Sequence, residues 1–256
     1  MNFIFSSSLI QIKQSISRSM FRFCIFINPI ITAFLLGMIY KDNVLEDFML
    51  YAFIGSGIST FWSSICYSSA SDIEREKWIG TLPIIFTSPA GFINIILGKI
   101  LGNTIWGIFS FTLNICAIYI LFNIPIFFND FYYFLIIFIL MIFSMFAIAF
   151  LMCSLFTLSR KISLVMNFIE YPLMIITGLF FPIYILPIPI QFVSYLLSPT
   201  WIMKGAYLSI VGGTIKEKIF IVFMLLIITM LYLVIGIKLF KKIERMCRIN
   251  GTFELF

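Results

Sequence analysis

Apolar residues along this chain gather into runs near 20 residues long, separated by short polar stretches. An α-helix rises about 1.5 Å per residue, so roughly 20 apolar residues cross a hydrocarbon core about 30 Å thick. Six runs have this character: Phe23–Tyr40, Phe48–Ala70, Ile93–Phe122, Phe131–Thr157, Ser163–Phe181 and Ile219–Leu239. The pattern predicts an all-α, polytopic membrane protein with six transmembrane helices in one domain over residues 1–256. Before the first run, Leu9, Ile12, Ile16, Met20 and Phe23 recur at helical spacing, while Gln11, Gln14, Ser15, Arg18 and Arg22 occupy the other side. That spacing predicts an interfacial amphipathic helix within residues 1–22. A signal peptide is excluded, because the first run continues to Tyr40 and no small-residue cleavage pattern follows it.

Composition sharpens this picture. Of 256 residues, 62% are hydrophobic and 11% charged, against about 25% charged in a soluble domain. Histidine is absent, which removes His-based acid–base catalysis, Ser/His or Cys/His nucleophile pairs and the commonest metal ligand. The five cysteines, Cys24, Cys66, Cys116, Cys153 and Cys247, are scattered without C-x-x-C spacing and read as small buried hydrophobes. No G-x-x-x-x-G-K-[ST] phosphate loop occurs, and Gly98-Lys99 has the wrong spacing from Gly91, so the chain is expected to bind no ATP itself. The net charge of +6 sits at helix ends and in the tail, which points to membrane orientation and away from nucleic acid. With the N-terminus in the cytoplasm, 13 of the 17 basic residues lie inside, and only Lys41, Lys204, Lys216 and Lys218 lie outside. The positive-inside rule then places both termini, including the tail 240–256, in the cytoplasm.

Two non-spanning segments carry most of the remaining information. The cytoplasmic stretch 71–89 places Asp72, Glu74, Arg75, Glu76 and Lys77 within six positions, followed by Trp78, Gly80, Thr81 and Pro83. Ser71 and Glu74 have capping-box spacing, Gly80 suits a helix stop, and Ser88-Pro89 suits the opening of the third span. The expected product is a short polar helix, a turn and a second short apolar helix. Composition leaves open a solvated loop or a docking surface for a soluble partner. The outer stretch 182–218 holds Pro182, Pro187, Pro189 and Pro199 yet stays apolar, which fits short helices dipping into the outer leaflet or an apolar outer loop.

Within the spans, Glu170 is the acidic residue in the middle of an apolar run, two positions before Pro172. Burying it unpaired in lipid costs about 2.5–3.5 kcal/mol, so it should face protein or a wet cavity. It reads either as part of a substrate path or dimer seam, or as a protonated side chain bonded to a neighbouring helix. A proton relay would need a second ionisable group, and the nearest candidate is Lys99 at the start of the third span. Gly55, Ser59 and Ser63 share one face of the second run at four-residue spacing, which permits close packing inside the bundle or at a subunit interface. Gly98-x-x-x-Gly102 offers a second close contact.

The string Asp72-Ile73-Glu74-Arg75-Glu76-Lys77-Trp78-Ile79-Gly80-Thr81-Leu82, closing on Thr87-Ser88-Pro89, resembles the E-R-E-x-x-G-T-L signature of type-2 permeases of ATP-binding-cassette exporters. The G-x-F-F-P-x-x-x-L-P pattern from Gly178 to Pro187, followed by Pro199-Thr200 and Ala206, is similar to the same family. One departure stands at Pro83, where the family commonly has an acidic residue. The resemblance implies that Asp72, Glu74, Arg75, Glu76, Lys77, Gly80 and Thr81 form a coupling segment received by a nucleotide-binding subunit. It also implies outer re-entrant helices before the last span, a second permease chain, identical or similar, and two ATPase subunits that carry ATP and Mg.

The expected function is therefore the permease subunit, without ATPase activity of its own, of a bacterial exporter in the cell membrane. The signature looks most like the drug and antimicrobial-peptide branch, which implies an amphipathic cargo such as a drug, antimicrobial peptide or lipid-like molecule. The competing expectation is an ATP-independent, proton-coupled transporter using Glu170. An integral membrane enzyme would need a polar catalytic cluster at the membrane surface, and the sequence offers none.

Overall fold

The structure, a computed structural model, describes residues 3–40, 46–122, 129–157 and 172–250, and these are helical or in short connections without any strand. The chain opens with α1 (Phe3–Ile16), then a helix built from α2 (Ser19–Arg22), a π turn (Phe23–Ile27) and α3 (Asn28–Tyr40). Next come α4 (Glu46–Trp62), a second π turn (Ser63–Tyr67) and α5 (Ser68–Ile79), again one unbroken helix, and the short α6 (Leu82–Thr87). Two long helices follow, α7 (Phe92–Phe122) and α8 (Phe131–Thr157). After a helical stretch at 172–176, a 3-10 turn (Ile183–Ile185), α9 (Ile188–Tyr195) and α10 (Ser198–Val211) lead into α11 (Ile215–Asn250).

Among the described residues four helices are long and apolar enough to cross a membrane: Ser19–Met38, Phe92–Phe122, Phe131–Thr157 and Ile215–Met246. They coincide with the first, third, fourth and sixth apolar runs. The second run lies within the unbroken helix from Glu46 to Ile79. The fifth lies largely at 158–171, outside the described residues, and Glu170 with it. Large apolar side chains such as Ile120, Phe143, Phe223 and Met230 point outward, the inverse of a water-soluble fold, since lipid solvates them as well as a core does. Inside, Phe61, Ile65, Ile100, Met145, Phe150 and Phe240 form a core shared by α4, α7, α8 and α11. Of the cysteines, Cys66 and Cys153 are buried as expected, but Cys24 is half-buried and Cys116 faces outward on α7.

Proline chemistry explains the interruptions. Pro29 has no N–H to offer the carbonyl four residues back, and the helix takes the wider π form over Phe23–Ile27 immediately before it. Pro182 and Pro187 sit just ahead of the 3-10 turn and α9, while Pro189 and Pro199 occupy first turns of α9 and α10, where a missing N–H costs nothing. The segment 182–218 is thus two short helices and a turn. Thr214 and Glu217 form a reciprocal capping box at the start of α11: the Thr214 N–H donates to Glu217 Oε2 (3.1 Å) and the Glu217 N–H to Thr214 Oγ1 (3.4 Å).

The N-terminal helix sits differently from an ordinary interfacial helix, which turns its polar side to water. Its buried residues are Ser8, Gln11 and Ser15, while Phe3, Phe5, Leu9 and Ile10 face outward. The polar face packs on α7, and the Gly98/Gly102 pair is what admits it. A Cβ on Gly98 would lie 2.6 Å from the Ile4 carbonyl oxygen, and one on Gly102 would lie 2.9 Å from Gln11 Cβ. Ser7 Oγ donates to the Ile95 carbonyl (3.0 Å) and the Trp106 indole N–H to the Ile12 carbonyl (3.3 Å). Gly98→Val should therefore displace α1 at a cost of about 1–3 kcal/mol, typical of overpacking a filled contact. Thermal unfolding in detergent, with proteolysis of residues 3–16 as a second readout, checks this; an unchanged melting temperature with a protected α1 would contradict it.

Candidate functional site

The charged segment 71–79 continues the second-run helix and ends it. Ser71 is inside that helix, where its hydroxyl donates to the Ser68 carbonyl (2.9 Å), so the capping-box spacing marks no new helix start and the expected separate polar helix is absent. Gly80 does stop the helix, at φ +76. The Thr81 N–H reaches back to the Glu76 carbonyl (3.0 Å) and the Gly80 N–H to the Lys77 carbonyl (3.2 Å), the paired bonds of a Schellman cap. After this turn α6 forms, with Pro83 tolerated in its first turn. The third span opens at Phe92, after Gly91 at φ +76, not at Ser88-Pro89.

The seven residues singled out in this segment have different fates. Asp72 is 1% exposed, and its carboxylate sits among donors from α1, from the connection that follows it and from α7. Arg18 approaches Oδ1 at 2.8 Å, while Gln11 Nε2 (2.5 Å) and Asn103 Nδ2 (2.9 Å) both donate to Oδ2. Gln11 also donates to Asn103 Oδ1 (3.1 Å), Asn103 to Ser69 Oγ (3.1 Å) and Arg18 to Ser15 Oγ (3.0 Å). A buried, unpaired carboxylate would cost several kcal/mol, so this donor set is what permits Asp72 to be inside.

Glu76 forms a second ion pair, with Lys99 of α7, and accepts a hydrogen bond from the Thr81 hydroxyl. Burial alone pushes its carboxyl pKa up, but the hydrogen bonds from Lys99 and Thr81 and the charges of Lys99 and Arg75 outweigh it and hold it below the usual 4.5. Lys77 donates to the carbonyls of Phe156 (3.2 Å) and Thr157 (2.7 Å) of α8, which ties this turn to a third helix. Arg75, partly exposed, donates to Gln14 Oε1 (3.2 Å). Glu74 is half-buried, and Gly80 is open to solvent. Beyond these, Trp78 (91% exposed), Ile79 (64%) and Ile84 (67%) flank the turn as bare apolar side chains.

Sequence reasoning missed Gln11, Ser15, Arg18 and Asn103 as members of this cluster. A signal existed: Gln11, Ser15 and Arg18 follow at helical spacing, and Asn103 lies one helical turn from Lys99 within the third apolar run. Lys99, the group a proton relay would have paired with Glu170, is engaged by Glu76. A second polar node lies deeper. Asn114, fully buried, donates to the Pro29 carbonyl (2.9 Å) and accepts from Ser56 Oγ (2.9 Å). Ser59 is buried and donates to the Ser56 carbonyl (2.8 Å), and Ser63 is half-buried in the π turn. A Cβ on Gly55 would overlap the Leu179 carbonyl oxygen, so this part of the small-residue face packs within the same chain.

Long apolar helices with an outward-facing apolar surface, gathered around a charged turn, define a multi-pass membrane protein, and comparison with known proteins specifies the class. The family model for the ABC-2 type transporter matches residues 4–211, and the chain belongs to that family. It is the membrane-spanning component of an ATP-binding-cassette transporter and not the ATPase. No curated protein matches the chain.

Two measurements test the site. Removing one partner of a buried ion pair costs about 3–5 kcal/mol, and the partial exposure of Arg18 puts Asp72→Ala near the lower end. Thermal or denaturant unfolding in detergent should show that loss; a change below about 1 kcal/mol would contradict the burial. For Glu76 the lowered pKa means its pairing stabilises fully above pH 4.5 and the benefit disappears as pH falls through the lowered value. Glu76→Gln should melt earlier than wild type at pH 7, and the gap should close as pH drops below 4.5; a gap independent of pH would contradict this sign.

Proposed function

We propose that this chain is the permease subunit of a bacterial ABC exporter in the cell membrane, moving an amphipathic cargo: a drug, an antimicrobial peptide or a lipid-like molecule. Two ATPase subunits, carrying ATP and Mg, dock on residues 71–89, and a second permease chain, identical or similar, completes the assembly. Six spans with both termini in the cytoplasm put this turn on the ATPase side, and residues 182–218 form the outer re-entrant helices. Glu170, with Ser59 and Ser63, belongs to the transport path or the seam between permeases.

The observation that carries this reading is the bare apolar tip Trp78–Ile79–Ile84 on a helix whose preceding turns are fixed by ion pairs to Arg18 and to Lys99 of α7 and by Lys77 to α8. Exposed tryptophan is scarce on polar surfaces and frequent among residues that dominate protein–protein binding. The charged residues on the same turns give a partner both signs to match, which sets register and specificity. Force applied at the tip passes into α4 and, through Asp72 and Glu76, into α1 and α7 together.

Affinity purification from native cells in mild detergent, with mass spectrometry of bound proteins, tests the reading. A stoichiometric ATPase should co-purify, and Trp78→Ala or Glu74→Lys/Arg75→Glu should reduce it about tenfold or more, as loss of a hot spot does. The Trp78 variant should keep its melting temperature, because the side chain is exposed. Purification without any ATPase from cells in which transport persists, combined with transport abolished by Glu170→Gln, would instead establish the proton-coupled carrier.

A further inference from the structure

The short helix α6 has two sides with different neighbours. Ile84 stands out from the turn at 67% exposure, while Phe86, two residues on and so on the opposite side of the helix, is buried. The Phe86 ring lies flat on that of Phe92, the first residue of α7, with centroids 4.0 Å apart and planes 15° from parallel. Phe92 is buried too and meets Phe240 of α11 at 5.7 Å. Phe240, with no exposed surface, lies 4.5 Å from Phe150 of α8. Four rings thus run without a break from the segment 71–89 to the inner end of the last spanning helix. One turn along α11, a Cβ on Gly236 would lie 2.7 Å from a Phe150 ring carbon, so α8 and α11 are in close contact beside the stack. Packing of this density leaves little room for one ring to move without moving the next. Between Phe240 and Phe220 the helix rises about 30 Å, the thickness of a hydrocarbon core. At that far end Phe220 packs edge-on against Trp201 of α10 (5.7 Å), and along the way the Tyr232 hydroxyl donates to the Leu196 carbonyl at the end of α9 (2.9 Å). The outer helices are therefore held on the same helix whose inner end the rings reach.

We propose that Phe86, Phe92, Phe240 and Phe150 are positioning residues for transport: they pass displacement of the charged turn to α11, and α11 passes it to α9 and α10. This rests on the reading that an ATPase subunit docks at residues 71–89. The polar contacts of that segment end on Arg18, on Lys99 of α7 and on the Phe156 and Thr157 carbonyls of α8. None of those contacts ends on α11, whereas the ring stack does. Two features set the stack apart from ordinary core filling. It begins on the side of α6 opposite the exposed Ile84, so a partner pressing on the tip drives Phe86 inward. It ends on the helix that holds the outer segment, so a tilt at the inner end is carried across the membrane. Coupling between distant sites travels through packed side chains and rigid helices that have two arrangements. Gly80 and Gly91, both at φ +76, flank α6 and let it pivot as one short rigid piece, which supplies the two-position element.

The full chain, purified with its ATPase in mild detergent, tests this through amide hydrogen exchange read by mass spectrometry, with and without adenylyl-imidodiphosphate and Mg. In the unaltered protein the nucleotide should change exchange both at 71–89 and at 188–211. Phe92→Leu removes one ring and lies outside the docking segment. It should keep the response at 71–89 and shrink that at 188–211 about twofold or more, the lower end for mutations along a coupling path. Should Phe92→Leu fail to fold, Phe240→Leu, which breaks the stack at the next ring, carries the same expectation. Met230→Ala, on the outward side of α11, should leave both responses as they are. A full outer response in the ring variants would overturn the proposal and leave the rings as core packing. So would an equal loss in Met230→Ala, or an unaltered protein in which the turn responds and residues 188–211 do not. If no ATPase co-purifies, or the turn itself shows no response to nucleotide, the docking reading falls and the proposal falls with it.

Discussion

The burial of one carboxylate, that of Asp72, organises the charged end of this protein. A charge taken out of water must be met by donors of fixed geometry, and here they come from α1 (Gln11), from Arg18 just beyond it and from α7 (Asn103). Satisfying Asp72 therefore requires α1 to turn its polar side inward, and Gly98 and Gly102 provide the close approach that makes this possible. The outward apolar face of α1 follows as a consequence, and lipid accepts it without cost. Gln11 Oε1 and Arg18 Nε are buried without a partner, so what ties α1 and α7 to the charged helix is the set of bonds that Gln11, Arg18 and Asn103 make to the Asp72 carboxylate.

The same constraint gives the chain a mechanical character suited to coupling. From Glu46 to Ile79 the backbone is a single helix that carries the charged turns at one end and the packed face of Gly55, Ser56 and Ser59 further along. Lys77 on the Phe156 and Thr157 carbonyls of α8 and Glu76 on Lys99 add two further fixed points. Movement at Trp78 has few local degrees of freedom in which to dissipate. The two π turns, at Phe23–Ile27 and Ser63–Tyr67, are the places where the helical hydrogen-bond register departs from regularity, and they lie beside each other in the first and second helices.

Much of this was legible in the sequence, in particular places. The apolar runs marked the long helices, Gly80 marked the helix stop, and the clustered prolines marked the breaks between 182 and 199. The orientation of α1 was not legible, for a physical reason: periodicity shows which side of a helix is apolar, but in a membrane the apolar side is as well solvated by lipid as by a protein core. Only the discovery of a buried partner for Gln11 and Arg18 decides it. The Ser71/Glu74 spacing misled because a capping box requires a break in the chain, and the second helix runs through that position unbroken. Glu170 lies outside the described residues, and the part in transport proposed for it comes from its place in an apolar run.

The dependence of the charged end on the Asp72 cluster is best tested by a double-mutant cycle between Arg18 and Asp72, comparing Arg18→Met, Asp72→Asn and the double variant by unfolding in detergent. If the two side chains meet in a buried site, the losses should be strongly non-additive, with a coupling energy of about 1.5–3 kcal/mol, because either substitution alone leaves its partner unmatched. Additive losses within about 0.5 kcal/mol would mean that Arg18 does not hold Asp72, and that α1 is not fixed to the charged turn in the way described.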